Sequence, residues 1–210
     1  MSDAQDAPEI PQIYLITPPE FDPAEFTPKL ERILDAVDIA CVRLSMATQD
    51  EDDLSRAADQ TREIAHARDI PLIIASHLQL VEKLGLDGVH LADGARSIRY
   101  TRKELGADTV IGTFCGPSRH EGMSAGENGA DYISLGPVGE SLLGDGSLAE
   151  VETFEWWSKM IELPIVAEGN ISTDVVERLA PFTDFFAIGP EIWSTDDPLT
   201  TLKELISPLG

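Results

Sequence analysis

The chain has 210 residues, 42% of them hydrophobic, and a formal net charge of −23 that arises from 38 acidic and 15 basic side chains. This length allows one domain with a complete core, and a strongly negative field opposes binding to nucleic acid and to anionic membrane surfaces. The acidity is most simply explained by solubility or by adaptation to a salty environment. The sequence contains no run of 18 apolar residues and no signal-peptide pattern at its start, so we expect a cytoplasmic protein that does not cross a membrane.

The first eleven residues are polar and acidic, which predicts a disordered N-terminal arm over 1–11 and a folded unit over 12–210. The two cysteines, Cys41 and Cys115, each lie in an apolar run. We therefore expect two buried, unpaired thiols, because a metal site would need more ligands than these.

Strand-like and helix-like patterns alternate from residue 12 onward. A strand over 12–17 is followed by an amphipathic helix, and a second strand over 39–44 carries Arg43 in otherwise apolar company. The clearest unit is 72–91, where a helix joins two short apolar strands. Ser76 and Gln79 have the spacing of a capping box and predict that this helix starts at Ser76, while Gly85 predicts its end.

The same unit recurs to the end of the chain. Ser118 is the predicted N-cap of the fifth helix, and Asp197 followed by Pro198 is the predicted start of the last one. The longest loop, over 136–147, holds four glycines and must be mobile or wrap a ligand. Eight strands alternating with eight helices predict an α/β fold, a single (β/α)8 TIM barrel, with an open doubly wound sheet as the alternative.

Several strand ends carry recognisable motifs, namely IYLIT at 13–17, DGVHL at 87–91, GADYISLGP at 129–137 and PIVAEGNIS at 164–172. In order and spacing they resemble the thiamine phosphate synthase family and its TenI-type thiazole tautomerase relatives, over nearly the whole chain. The resemblance implies a reaction that joins an aminopyrimidine diphosphate to a thiazole phosphate and releases pyrophosphate with the help of Mg²⁺.

The chain departs from that pattern where the family binds diphosphate and metal, which makes it a divergent member. The cationic motif Q-x-R-x-K of strand two reads Cys41, Arg43 and Ser45, so only the arginine is present. The metal-binding turn Asn-Asp-Arg reads 75–77, Ala-Ser-His, and a second metal-binding aspartate is replaced by Ala95. Magnesium is therefore implied by the resemblance alone, and we predict no metal ligands.

The later motifs differ as well. Phe114 stands where the family has serine, 141–144 lacks the family's lysine, and the Gly-Gly pair after strand seven is Gly169 and Asn170. After strand eight, Val-Ser becomes Gly189 and Pro190, and proline cannot donate a backbone hydrogen bond to a phosphate. The tautomerase's histidine position after strand five is also a glycine.

Three residues are candidate catalytic groups. Arg43 would bind a phosphate or carboxylate ligand, or would form an ion pair with Glu168, because a guanidinium in a barrel strand needs an anionic partner. Glu168 is a candidate general base with the same ion pair as its alternative. His90 is either catalytic or a hydrogen-bonded core residue. The predicted ligand-binding residues at the strand ends are His77, Ser141, Gly169, Asn170 and Gly189.

These observations predict a divergent thiamine phosphate synthase-like or TenI-like barrel that binds a small phosphorylated ligand of thiazole or pyrimidine type. Two alternatives stay open, an active transferase of the family and a non-catalytic partner or regulatory barrel. The resemblance also implies a homo-oligomer, either a dimer or a trimer.

Overall fold

The computed structural model describes residues 10–210 and contains a closed barrel of eight parallel strands that follow one another in chain order. The barrel closes where the last strand pairs in parallel with the first. The predicted single (β/α)8 TIM barrel is therefore confirmed. The strands are β1 (Gln12–Ile16), β2 (Ile39–Leu44), β3 (Leu72–Ala75), β4 (Gly88–Leu91), β5 (Val110–Phe114), β6 (Tyr132–Leu135), β7 (Ile165–Glu168) and β8 (Phe185–Ile188).

Within the described residues, nine helices and a final 3-10 turn at Ser207–Leu209 accompany the strands. The sequence predicted eight helices, and the additional one, α8, is a single short turn that begins at Pro190, whose fixed φ suits a helix start. The helices are α1 (Pro23–Leu34), α2 (Glu51–His66), α3 (Leu78–Leu84), α4 (Ile98–Leu105), α5 (Arg119–Glu127), α6 (Val151–Met160), α7 (Thr173–Leu179), α8 (Pro190–Trp193) and α9 (Pro198–Leu205).

The predicted capping box at Ser76 is wrong. Helix α3 begins at Leu78, and His77 occupies its N-cap position without a side-chain capping bond. Ser76 has φ of 64°, in the left-handed region, because the chain turns sharply between β3 and α3. A capping serine needs an extended backbone instead, as Ser118 has at the start of α5, where its hydroxyl accepts from the Glu121 amide at 3.2 Å.

Two apolar layers hold the barrel together. The larger layer lies between the strands and the helices and includes the fully buried Phe154 and Trp157 of α6. A smaller cluster fills the interior and comprises Tyr14, Ile16, Cys41, Ile73, Tyr132, Val166 and Ala187. Because strand residues alternate in direction, this second layer shares its face with the charged residues of β2 and β7.

Both cysteines are buried and unpaired, as predicted, and burial raises the pKa of the Cys115 thiol to about 12. The predicted arm over 1–11 lies almost wholly outside the described residues, which include only Ile10 and Pro11 of it. None of the helices within 10–210 combines the length and the apolar character that a membrane span requires.

Candidate functional site

The centre of the barrel holds a buried ion pair. Arg43 of β2 and Glu168 of β7 are each only 5% exposed, and the guanidinium meets the carboxylate through both of its terminal nitrogens. The contact between Nη1 and Oε2 measures 3.3 Å, and Nη2 lies closer still to Oε1. The ion pair that the sequence offered as the alternative role of both residues is thus present.

Mutual attraction keeps both partners charged inside the barrel. Burial disfavours the carboxylate of Glu168, but the positive charge of Arg43, followed by the nearby His90, outweighs it and lowers the pKa to about 2. Burial likewise opposes the charge of Arg43, and the carboxylate more than offsets it, so the pKa of the guanidinium is raised. Glu168 is therefore an ionised carboxylate that is already paired with Arg43.

A chain of three side chains extends from this pair. Nδ1 of His90 lies 2.9 Å from the hydroxyl of Tyr132, and that hydroxyl lies 2.8 Å from the hydroxyl of Tyr14. Nε2 of His90 is 4.0 Å from Glu168, and the Arg43 guanidinium lies 5.4 Å from the centre of the Tyr14 ring. His90, Tyr132 and Tyr14 thus form a hydrogen-bonded network beside the ion pair in the barrel interior.

His90, Tyr132 and Tyr14 are held in their uncharged forms. Burial, and then the charge of Arg43, lowers the pKa of His90 to about 3, so the imidazole is uncharged near neutral pH. Burial also raises the pKa of Tyr14 and of Tyr132 well above the usual range. The geometry of His90 matches the hydrogen-bonded core residue that was one of its two predicted roles.

Gly112 of β5 makes room for the network. A Cβ atom at this position would lie 2.0 Å from Cζ of Tyr132, its partner residue on the neighbouring strand. Any side chain here would collide with the Tyr132 ring, whose hydroxyl is hydrogen-bonded to both His90 and Tyr14.

A cavity of about 670 Å³ opens above the ion pair, at the C-terminal ends of the strands. This is the end of a TIM barrel at which chemistry takes place. Among the described residues that line it, one guanidinium faces three carboxylates. The lining comprises Ile16, Thr17, Pro19, Arg43, Ser45, Glu140, Ser141, Leu142, Leu143, Glu168, Gly169, Asn170, Ala187, Pro190, Glu191 and Ser194.

The predicted ligand-binding residues Ser141 and Asn170 both line this cavity, where their side chains already make local bonds. The Ser141 hydroxyl accepts from the Leu143 amide at 3.1 Å. The Asn170 amide donates to the Glu140 carbonyl at 3.0 Å and thereby ties the long loop to the turn after β7. The same loop approaches the Phe114 ring, since a Cβ at Gly144 would lie 3.0 Å from it.

The turns after β7 and β8 converge on one carboxylate. The Ile171 amide donates to Oε1 of Glu191 at 2.9 Å, and the Gly189 amide donates to Oε2 at 2.8 Å. The chain reaches Ile171 through two residues of positive φ, Gly169 at 93° and Asn170 at 56°. Beyond Glu191, the indole of Trp193 donates to the Ile16 carbonyl at 2.6 Å and anchors α8 to the end of β1.

The fifth predicted ligand-binding residue, His77, is half-buried in the turn after β3. The cavity lining comes instead from the ends of β1, β2, β7 and β8 and from the loop after β6. Of the predicted ligand-binding residues, Ser141, Gly169 and Asn170 line the cavity, whereas His77 and Gly189 are not among the described residues that line it.

The metal positions implied by the resemblance do not fit a magnesium ion. Ser76 and Ala95 offer no carboxylate. Near Ala95, Asp93 accepts a bond from the Ser97 hydroxyl at 2.5 Å, and Glu121 accepts one from the Ala95 amide at 3.3 Å. Across residues 10–210, no group of three or more His, Cys, Asp or Glu side chains is arranged to hold a metal. Magnesium prefers an oxygen-rich set of ligands that these side chains do not form.

Sequence reasoning missed Tyr14, Tyr132 and Glu191. The tyrosines had a signal, because each is a large residue with a polar tip in a strand whose alternate positions face the interior. Glu191 had none, because its partners are backbone amides of two separate turns.

The closed barrel, with its charged cavity at the C-terminal ends of the strands, defines a TIM-barrel protein with a candidate small-molecule site. Residues 13–187 match the model of the thiamine monophosphate synthase family, TMP-TENI, and the chain belongs to that family.

Relatives bear this out along most of the sequence. The thiamine-phosphate synthase of Rhodospirillum centenum is 37% identical over 187 residues, which cover 87% of this chain and 89% of that protein. That of Erythrobacter litoralis is 35% identical and covers 90% of this chain and 92% of its own. The thiamine phosphate pyrophosphorylase structure from Pyrococcus furiosus has a TM-score of 0.80 at 19% identity, covers 94% of this chain and 95% of its own, and supports the fold alone.

Proposed function

We propose that this thiamine phosphate synthase-type barrel binds a small phosphorylated ligand of thiazole or pyrimidine type in the cavity at the C-terminal ends of its strands. We further propose that it couples the family's two substrates slowly or not at all. The observation that carries both statements is the charge of the cavity, whose only cation within the described lining is Arg43, already paired with Glu168.

Departure of a diphosphate group leaves negative charge on its oxygens, and catalysts of such reactions neutralise that charge with cations or metal ions. Here Glu140, Glu168 and Glu191 outnumber the single guanidinium. Ser45, where the resemblance implies lysine, adds a hydroxyl but no charge. A monophosphate carries less negative charge than a diphosphate and needs fewer cations to bind. We expect the backbone amides of the turns after β7 and β8 to donate hydrogen bonds to it.

The test combines an activity assay with a binding assay. Pyrophosphate release from aminopyrimidine diphosphate and thiazole phosphate is measured with Mg²⁺, using the Rhodospirillum centenum protein as the positive control. Binding of thiazole phosphate alone is measured by calorimetry. We expect saturable binding of thiazole phosphate, and pyrophosphate release at least about 1000-fold slower than in the control, the size of effect that loss of charge stabilisation produces.

Turnover comparable to the control would contradict the proposed loss of coupling and would favour an active synthase, the role that the relatives' names support. Arg43→Lys, which keeps the charge opposite Glu168, would then show whether the bidentate guanidinium takes part. An absence of binding, with the protein folded by circular dichroism, would favour a partner or regulatory barrel.

A further inference from the structure

Glu191 places a carboxylate at the meeting point of two turns. One of its oxygens accepts from the Ile171 amide at 2.9 Å and the other from the Gly189 amide at 2.8 Å. The first amide follows β7 and the second follows β8, and Glu191 itself lines the cavity. Two donors from separate loops thus point at a single anion.

In TIM barrels the turns after the seventh and eighth strands commonly form a phosphate site. A phosphate oxygen and a carboxylate oxygen are both anionic acceptors, so they compete for the same amides. Both cannot remain, because they would repel each other at hydrogen-bonding distance.

We propose that the Glu191 carboxylate is an internal occupant of this phosphate cradle, and that a phosphorylated ligand binds only by displacing it. This inference rests on the phosphate binding proposed above and adds the residue that limits it. Glu191 is only half-buried, so its side chain already has a solvent-facing side toward which displacement can proceed. The carboxylate therefore lowers the affinity for phosphate without closing the cavity.

A purely structural role predicts something different. The bond to Gly189 spans two residues and closes the first turn of α8, as a helix cap would. The bond to Ile171 spans twenty residues and reaches another loop, which a local cap does not require. A cap alone would leave the affinity for phosphate unchanged when Glu191 is replaced.

Glu140 provides a matched control. Its carboxylate belongs to the same cavity and carries the same charge, but the contact that it makes to the turn after β7 uses its backbone carbonyl. Glu140→Ala removes one negative charge and leaves the two amides occupied. Glu191→Ala removes one negative charge and frees them.

Calorimetry on the full chain, with thiazole phosphate and with the corresponding thiazole alcohol as probes, tests the proposal. We expect Glu191→Ala to bind thiazole phosphate at least tenfold more tightly than wild type does. Glu140→Ala should change the affinity for thiazole phosphate by no more than about threefold. The affinity for the thiazole alcohol should change by no more than about twofold in either variant. Glu191→Gln, which keeps one acceptor, should lie between. Melting curves verify that each variant is folded.

An equal gain in Glu140→Ala and Glu191→Ala would overturn the inference while leaving the proposed phosphate binding intact. A gain for the alcohol as large as that for the phosphate would also overturn it, because the effect would not concern the phosphate. Failure of both probes to bind wild type and Glu191→Ala would refute the proposed function together with the inference.

Discussion

Arg43 and Glu168 face each other across the interior of the barrel, although β1 and β8 lie between their strands on the shorter way around. The pair forms the floor of the cavity and links the two halves of the sheet. Because both charges are buried, each is tolerated only in the presence of the other.

Removing one partner should therefore destabilise the protein more than removing both. We expect Glu168→Leu or Arg43→Met to lower the free energy of unfolding by roughly 3–5 kcal/mol, the cost of an uncompensated buried charge. The double variant Arg43→Met with Glu168→Leu should recover most of that loss. Urea denaturation of the four proteins measures the cycle, and strictly additive losses would argue against a coupled pair.

Acid should destabilise the fold in two steps. The pKa of His90 is lowered from 6.5 to about 3, so the unfolded chain binds a proton there that the native protein does not. The stability that follows from the lowered pKa of His90 is fully present above pH 6.5, and it declines as the pH falls toward 3. The lowered pKa of Glu168 adds a second decline that begins near 4.5 and ends near 2.

Between pH 6.5 and 5, His90 should contribute a slope of up to about 1.4 kcal/mol per pH unit, the value for one proton. His90→Gln should remove that slope, whatever its effect on absolute stability. The exposed His120 of α5 is the control, and His120→Gln should retain the slope. Equal slopes in the two variants, from denaturation at several pH values, would be inconsistent with a neutral buried His90.

Gly112→Ala should cost roughly 1–3 kcal/mol, because the added methyl group would overlap the ring of Tyr132. Combined with Tyr132→Leu, the same substitution should cost little more than Tyr132→Leu alone. Gly126→Ala in α5 is the control, since the nearest atom there, at 3.0 Å, is the movable end of Leu163. Its melting temperature should equal or exceed that of wild type, given the higher helix propensity of alanine.

Ser45→Lys should add an unpaired cation to the cavity. We expect it to tighten the binding of inorganic pyrophosphate by roughly tenfold or more, since a charge close to the ligand acts at a reduced effective dielectric constant. Ser158→Lys on the exposed face of α6 changes the net charge equally and should leave binding unaltered. Affinity for pyrophosphate is measured by calorimetry. A similar gain in affinity in both variants would indicate that the net charge of the whole protein controls binding, and not the charge within the cavity.

All eight strands could be predicted from the sequence, because a buried parallel strand is a short apolar run between turn residues. Helix α8 could not, since one turn carries no periodicity. The failure at Ser76 has another cause. A serine two residues before a helix favours a cap, but the left-handed backbone at this turn follows from how β3 and α3 pack.

The charged residues at the floor of the cavity were predictable from the sequence, because Arg43 interrupts an apolar strand and Glu168 stands at the end of one. Their mutual pairing was one of the two expected outcomes. The contact between Gly112 and Tyr132 depends on the register of β5 against β6, which no local pattern specifies. Glu191 depends on the backbone amide of Ile171, and an amide is present at every residue except proline.

The bond from the Trp193 indole to the Ile16 carbonyl gives the protein an intrinsic fluorophore beside the cavity. Trp193 shares a single helical turn with Glu191, whereas Trp156 and Trp157 belong to α6. Emission from Trp193 depends on the hydrogen bond and on the Phe26 ring 5.1 Å away. Ligand entry at the turn after β8 thus has an optical readout that requires no label.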